Sequence, residues 1–190
     1  MKVLIIDFAD SFTFNIYNEF LCITQNVEVV SYLEFSKVDY LEFDIICLGP
    51  GPGIVNEYSS FTEFTKLLIA AARKSQIHLL GICLGHQLIH IALDRSITQL
   101  ENPIHGQQRK ISFNDHKILN TSLKGESFLV QHYNSWAIVA DEVSSIFSYE
   151  LSDSEGLLLA SFSENITTYQ FHPESVGTSC PKAFFKQCLV

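Results

Sequence analysis

Ile77-His78-Leu79-Leu80-Gly81-Ile82-Cys83-Leu84-Gly85-His86-Gln87, residues 77–87, is the stretch on which the fold turns. The apolar run from Ile77 to Ile82 reads as a strand buried on both faces. Gly85 to Leu93 carries helical spacing. Cys83 lies between the two, with a glycine two residues away on each side. Glycines permit a tight turn and a close approach of backbones. A thiol so placed stands at a helix N-terminus, where N–H groups and the helix dipole favour a thiolate. This is the logic of a nucleophile elbow with sulfur in place of oxygen. The N–H of Leu84 would then point toward an oxyanion. A buried cysteine in an apolar turn is the plainer reading, and the two glycines and the strand–turn–helix context outweigh it.

Working outward, the first half of the chain repeats the same alternation. Val3 to Asp7 is a short apolar run ending in an acid. Ser11 then opens a segment with Phe12, Ile16 and Phe20 on one helical face, and serine is a favoured N-cap. Val27 to Tyr32 reads as a strand. Asp44 to Leu48 reads as another, stopped by Gly49-Pro50-Gly51-Pro52-Gly53. Ser59 to Lys74 predicts a helix with Phe61, Phe64, Leu67, Leu68 and Ala71 on its apolar face. Such alternation implies crossover connections and a mostly parallel sheet, with ligands beyond the carboxyl ends of the strands. Both glycine-rich turns fall at such ends.

The second half changes character. Ile111–Phe113, Ser127–Gln131, Ala137–Ala140, Ile146–Tyr149, Gly156–Phe162 and Thr167–Phe171 are short and β-like, and helical signal returns only near Pro181 to Leu189. The expected fold is therefore α/β: a mostly parallel central sheet flanked by helices, with an added antiparallel β extension in the second half. At 190 residues the chain suits one compact domain, 1–190, and with 47% apolar and 17% charged residues it can bury a sizeable core. A formal charge of −9 repels phosphate backbones and argues against nucleic acid. No apolar run reaches the roughly 20 residues of a membrane helix, and the four-residue run before Asp7 is too short for a signal peptide. Five cysteines without a CxxC pair argue against a disulfide framework and for a reducing cytosol, so a cytoplasmic location is expected.

A cysteine nucleophile needs a base. In His172-Pro173-Glu174, an extended backbone projects residues 172 and 174 to the same side, so Glu174 can orient the His172 ring. Thiol, imidazole and carboxylate would form a triad. The Gly51-Pro52-Gly53 loop lacks a nucleotide-binding pattern and suits an oxyanion hole or an amino-acid carboxyl site. His86-Gln87-Leu88-Ile89-His90 resembles the zinc motif HExxH, but its glutamate is absent and spacing places no third ligand, so no metal site is expected. Gln87 fits better as a polar wall of the cysteine pocket. Asp10 and Ser11 read as helix caps or as part of the cleft rim.

Taken together and in this order, these segments resemble the class I, or triad, glutamine amidotransferases. The resemblance runs from about Leu4 to Ser175 and is greatest to the glutaminase component of anthranilate synthase and of 4-amino-4-deoxychorismate synthase. Asp7 with Asp10-Ser11-Phe12-Thr13 and Asn15 matches the chorismate-linked branch. Gly51-Pro52-Gly53 matches the glutamine-site loop, residues 81–87 the nucleophile motif, and Gln170-Phe171-His172-Pro173-Glu174-Ser175 the motif bearing base and acid.

The resemblance implies that Cys83 attacks the side-chain amide of L-glutamine, that His172 shuttles the proton and that Glu174 orients it. It implies that N–H groups near Gly51 and Gly53, with that of Leu84, hold the oxyanion, and that the backbone at Ser135 and Trp136 contacts glutamine. Ammonia would pass to a chorismate-utilising synthase subunit in a hetero-oligomer. No cofactor is implied for this chain; magnesium belongs to the synthase partner. The chain also departs from the family pattern. His132-Tyr133-Asn134-Ser135-Trp136 stands for Arg-Tyr-His-Ser-Leu, Gln107 for a lysine, Val55 for a proline, and Thr168-Tyr169 for Gly-Val. A stand-alone cysteine hydrolase of related fold and a non-catalytic regulatory paralogue are the alternatives.

Overall fold

The computed structural model describes residues 1–140 and 146–189. Four short apolar segments, each too short for a helix, form parallel strands: β1 (Val3–Asp7), β2 (Val27–Ser31), β3 (Ile45–Leu48) and β4 (His78–Ile82). Helices α1 (Thr13–Leu21), α2 (Ser59–Arg73) and α3 (Leu84–Ala92) lie among them in the chain. Strands β7 (Tyr149–Ser152), β8 (Leu158–Phe162) and β9 (Ile166–Tyr169) complete a seven-stranded sheet in the order β2-β1-β3-β4-β9-β8-β7. Pairings from β2 through β9 are parallel. The last two pairings, β9 with β8 and β8 with β7, are antiparallel and form one edge.

Burial on both faces follows from the period of two along each strand. Val3, Ile5, Ile45, Cys47, Leu80 and Ile82 pack on one side with Ile16 and Phe20 of α1 and with Phe184 and Phe185 of α4 (Pro181–Phe185). Leu4, Ile6, Ile46, Leu48 and Leu79 pack on the other with Phe61 and Leu68 of α2 and Leu88 and Ile89 of α3. The chain leaves β1 toward β2 and returns on the other side to β3. The switch therefore lies between β1 and β3, where ligands bind in open sheets.

Several sequence expectations need correction. Ser11 does not cap α1. The helix begins at Thr13, its cap position is Phe12 with no side-chain cap, and the turn is tied instead by acids. Asp7 Oδ1 accepts from the Ala9 N–H and the Thr13 hydroxyl at 2.9 and 2.7 Å, and Asp10 Oδ1 accepts from the Phe12 N–H at 2.8 Å. Leu67 is 51% exposed; the buried face of α2 uses Thr65 and Ile69 in its place.

The largest correction is in the second half. The piece 127–131 and the first two residues of 137–140 belong to one long strand, β6 (Ser127–Ile138), which pairs antiparallel with β5 (Ile97–Ser112) in a separate two-stranded sheet. The sequence reading, at Ile111–Phe113, caught only residues 111 and 112 of β5. Regular strand also starts later than expected in β7 and β8, and Phe171 lies beyond β9.

Gly85 is where α3 meets the sheet. A Cβ there would collide with the backbone carbonyl of Leu48 in β3, which cannot move aside. Gly85→Ala is expected to destabilise the fold by on the order of 3 kcal/mol, read as a lower urea midpoint. Gly156→Ala is the control. Its Cβ would meet open space at φ +74°, so the cost is confined to backbone strain, about 1 kcal/mol.

Candidate active site

The turn between β4 and α3 forces Cys83 to φ +52° and ψ −100°, a conformation that a non-glycine residue adopts only under constraint. The constraint is visible. The Cys83 N–H donates to Tyr169 O at 2.8 Å, and Cys83 O accepts from the Gln87 N–H at 3.1 Å. The thiol lines a cavity of about 500 Å³ at the carboxyl ends of β1, β3 and β4. Asp10, Gly51, Pro52, Gly53, Leu84 and Gln87 line the same cavity, as do His105, Tyr133, Asn134, Ser135 and Trp136 from the β5–β6 hairpin. Of the residues expected to face a cavity, Gly51, Pro52, Gly53, Cys83, Leu84, Gln87, Ser135 and Trp136 are brought together, and of the expected rim Asp10 joins them while Ser11 does not. Leu84 opens α3, so its N–H has no partner within the helix and is free for an anion.

The glycine loop is held by packing that the sequence reading did not anticipate. Gly51 lies so close to Phe8 and the Leu84 side chain that a Cβ would strike both. Tyr58 donates from its hydroxyl to Pro52 O at 2.9 Å, and its ring packs edge-on against Phe8 at 5.3 Å.

His172 and Glu174 stand behind the thiol, both buried. The His172 Nδ1–H donates to Glu174 Oε1 at 2.7 Å. The His172 N–H donates to Gln131 O at 2.8 Å, and Thr178 Oγ1 donates to His172 O at 2.7 Å, so β6 pins the backbone of the loop. The ring packs against Phe12 at 5.0 Å and Tyr133 at 5.1 Å. Its Nε2 is buried without a hydrogen-bond partner of full geometry, as is common before substrate binds. Burial alone would push the imidazolium down. The interactions with Cys83 and with the Glu174 carboxylate outweigh it and hold His172 well above the ordinary imidazole range.

Other histidines behave oppositely. His86 and His90 share one hydroxyl: Thr168 Oγ1 lies 2.9 Å from His86 Nδ1 and 3.2 Å from His90 Nε2. Among the described residues no group of three metal-ligating side chains exists. Burial lowers His86 to about 3, His78 to about 4 and His90 well below the usual value. His132 falls to about 4, from burial and then the Arg109 cation. Thr168, one of the departures from the family pattern, is the polar centre of this neutral cluster. Two other departures pair with each other, since His132 Nδ1 lies 3.3 Å from Asn134 Oδ1.

The profile of the family described as Glutamine amidotransferase class-I matches residues 4–190, and the chain belongs to that family. Anthranilate synthase component 2 of Helicobacter pylori is 28% identical over 195 residues, covering 100% of this chain and 96% of that protein. A Schizosaccharomyces pombe protein provisionally named aminodeoxychorismate synthase is 28% identical over 200 residues, covering 100% of this chain but 26% of its own length. Among solved structures, a Thermoplasma acidophilum protein provisionally named as one subunit of GMP synthase shares the fold. Its TM-score is 0.81 at 19% identity, over 100% of this chain and 92% of that one. Among the described residues, no helix is long and apolar enough to cross a membrane.

The neutral histidines predict the acid limb of stability. Unfolded, each titrates near 6.5; folded, His78, His86, His90 and His132 titrate lower. Between those values the unfolded chain binds protons that the folded chain refuses, so stability present above about pH 6.5 is lost as pH falls toward about 4. His172, shifted the other way, keeps its contribution throughout that window. Urea midpoints across it should show a slope of about 1.4 kcal/mol per pH unit for each low histidine. His78→Gln, remote from the thiol, should remove about one such share.

Proposed function

We propose that this chain is a glutaminase subunit that hydrolyses L-glutamine to glutamate and ammonia through Cys83, His172 and Glu174. The single observation that carries the reading is the 2.7 Å His172–Glu174 pair, with His172 raised by its neighbour Cys83, whose thiol lines a cavity shared with Gly51–Gly53 and Ser135–Trp136.

The Cys83 thiolate attacks the δ-carbonyl carbon of glutamine and forms a carbon–sulfur bond. Negative charge moves to the carbonyl oxygen, where the N–H of Leu84 and those near Gly51 and Gly53 receive it. His172, kept cationic by its neighbours, gives its Nε2 proton to the departing nitrogen, and ammonia leaves. Neutral His172 then takes a proton from water as the water attacks the thioester. The carbon–sulfur bond breaks, glutamate is released and the thiolate–imidazolium pair is restored. Glu174 fixes the ring and stabilises its charge without taking the proton. Gln87 and the backbone at Ser135 and Trp136 hold the amino-acid end of the substrate. These steps call on no metal in this chain.

Ammonia is consumed by a chorismate-utilising synthase subunit, the component I to this chain's component II, in the cytoplasm, with magnesium in that partner. The component 2 relative and the match to the chorismate-linked branch support this partner. The pathway, anthranilate or aminodeoxychorismate, is set by which synthase docks.

The test is glutamate release from glutamine by the purified chain, alone and with each candidate synthase. A partner-stimulated rate is expected that falls at least 10⁴-fold in Cys83→Ala and on the order of 10²–10⁴-fold in Glu174→Gln. No release with any partner, or a rate indifferent to Cys83→Ala, overturns the proposal and favours the regulatory paralogue or the alternative hydrolase.

A further inference from the structure

Gln170 follows β9 directly and is 1% exposed. Its N–H donates to Leu159 O at 2.9 Å, which fixes the root of the side chain. The reaction set out above makes no use of that side chain. A buried primary amide must satisfy two N–H donors and an acceptor, so its neighbours are informative. Oε1 of Gln170 accepts from Gln87 Nε2 at 3.2 Å, and Nε2 of Gln170 donates to Cys83 Sγ at 3.8 Å.

Which end of an amide faces which neighbour is decided by the surrounding network. Here the network has one member that cannot be reversed. The Trp136 carbonyl only accepts, and it faces one end of the Gln87 amide at 2.9 Å. That end is therefore the NH₂. Its second proton points at Gln170 and requires oxygen there. The far end of Gln170, the end at sulfur, is then NH₂ as well. Turned over, Gln170 would set N–H against N–H and a carbonyl oxygen against the thiolate. Asn134 Nδ2 donates to the same Trp136 carbonyl at 3.0 Å. A single backbone oxygen on β6 thus fixes the polarity of the group that meets the nucleophile.

We infer that Gln170 is a further catalytic residue, donating a hydrogen bond to the Cys83 thiolate, and that Gln87 and the Trp136 carbonyl are positioning groups that aim this donor at the sulfur. The inference rests on Cys83 being the nucleophile proposed above. The donor stabilises sulfur while it is negative: before attack, and again when it leaves the thioester. No covalent bond changes at Gln170. Displacement of β6 from α3 would release Gln87 from its carbonyl and free Gln170 to turn, so the position of the substrate wall is felt at the thiol.

Alkylation of Cys83 by iodoacetamide reads the thiolate without glutamine or a partner, and the Cys83→Ala chain supplies the background from the other four cysteines. Gln170→Met keeps the volume and removes the donor. Its Cys83 rate is expected to fall about fivefold to tenfold at about pH 6.5 and to rejoin the unmodified chain near about pH 9.5, where thiols ionise without help. Equal rates at the lower pH, or an equal fall at both, overturn the inference. Should Gln170→Met not fold, Gln87→Met carries the same test. A pH-selective fall supports the wiring, and an unchanged profile overturns it. Cys83-dependent glutaminase with unchanged alkylation sinks this inference alone. A pH-selective fall without glutaminase under any partner sinks the functional proposal and leaves this one standing.

Discussion

The backbone at Cys83 is the constraint on which the rest depends. A positive φ at a non-glycine residue persists only where its surroundings over-determine it, and here three strands do so. β9 takes the Cys83 N–H through Tyr169 O. β3 crowds α3 so closely at Leu48 that only glycine fits at Gly85. β4 delivers the residue at its carboxyl end. The sheet order, the two glycines and the helix start are all consequences of placing one sulfur on a narrow ridge. Once it is there, the loop after β1, the loop after β3 and the β5–β6 hairpin need only close around it.

Much of this was legible in the sequence because it is written in short-range physics. Buried parallel strands leave uninterrupted apolar runs, so β1, β3 and β4 stood out to within a residue. The elbow and the His172-Pro173-Glu174 segment were visible because their chemistry needs particular residues at fixed spacing. The β5–β6 ribbon was not. Residues 97–112 hold glutamine, glutamate, histidine, arginine and lysine with most side chains exposed, and a strand without a buried face leaves no alternation to read. The cap of α1 was missed for a related reason. Several oxygen-bearing residues compete in 7–13, and which one wins depends on a turn that only the folded chain defines.

The histidines divide by what surrounds them rather than by sequence. His172 is raised because a sulfur and a carboxylate face it, while His86 and His90 are lowered because burial, and then nearby positive charge that includes Arg95, disfavours their cations. His86 and His90 form a packed polar cluster, with Thr168 supplying the oxygen that such burial demands. Departures from a family pattern can be read in the same way. His132 and Asn134 satisfy each other, and Thr168 satisfies two rings, so each change sits in a local bonding arrangement rather than standing as an isolated loss.

The place of β9 has a consequence for how the molecule is born. It is the last of the described strands in chain order, yet it lies inside the sheet, between β4 and β8. Until residues 166–169 leave the ribosome, β4 ends the growing sheet with an open, apolar edge, and Cys83 lacks the carbonyl that holds its turn. Non-local pairing of this kind is slow, and open edges invite wrong partners. Synthesis from the N-terminus thus leaves a long interval in which the nascent chain carries its nucleophile but neither the strand that tenses it nor the imidazole that serves it. The thiol is armed only when those late residues arrive.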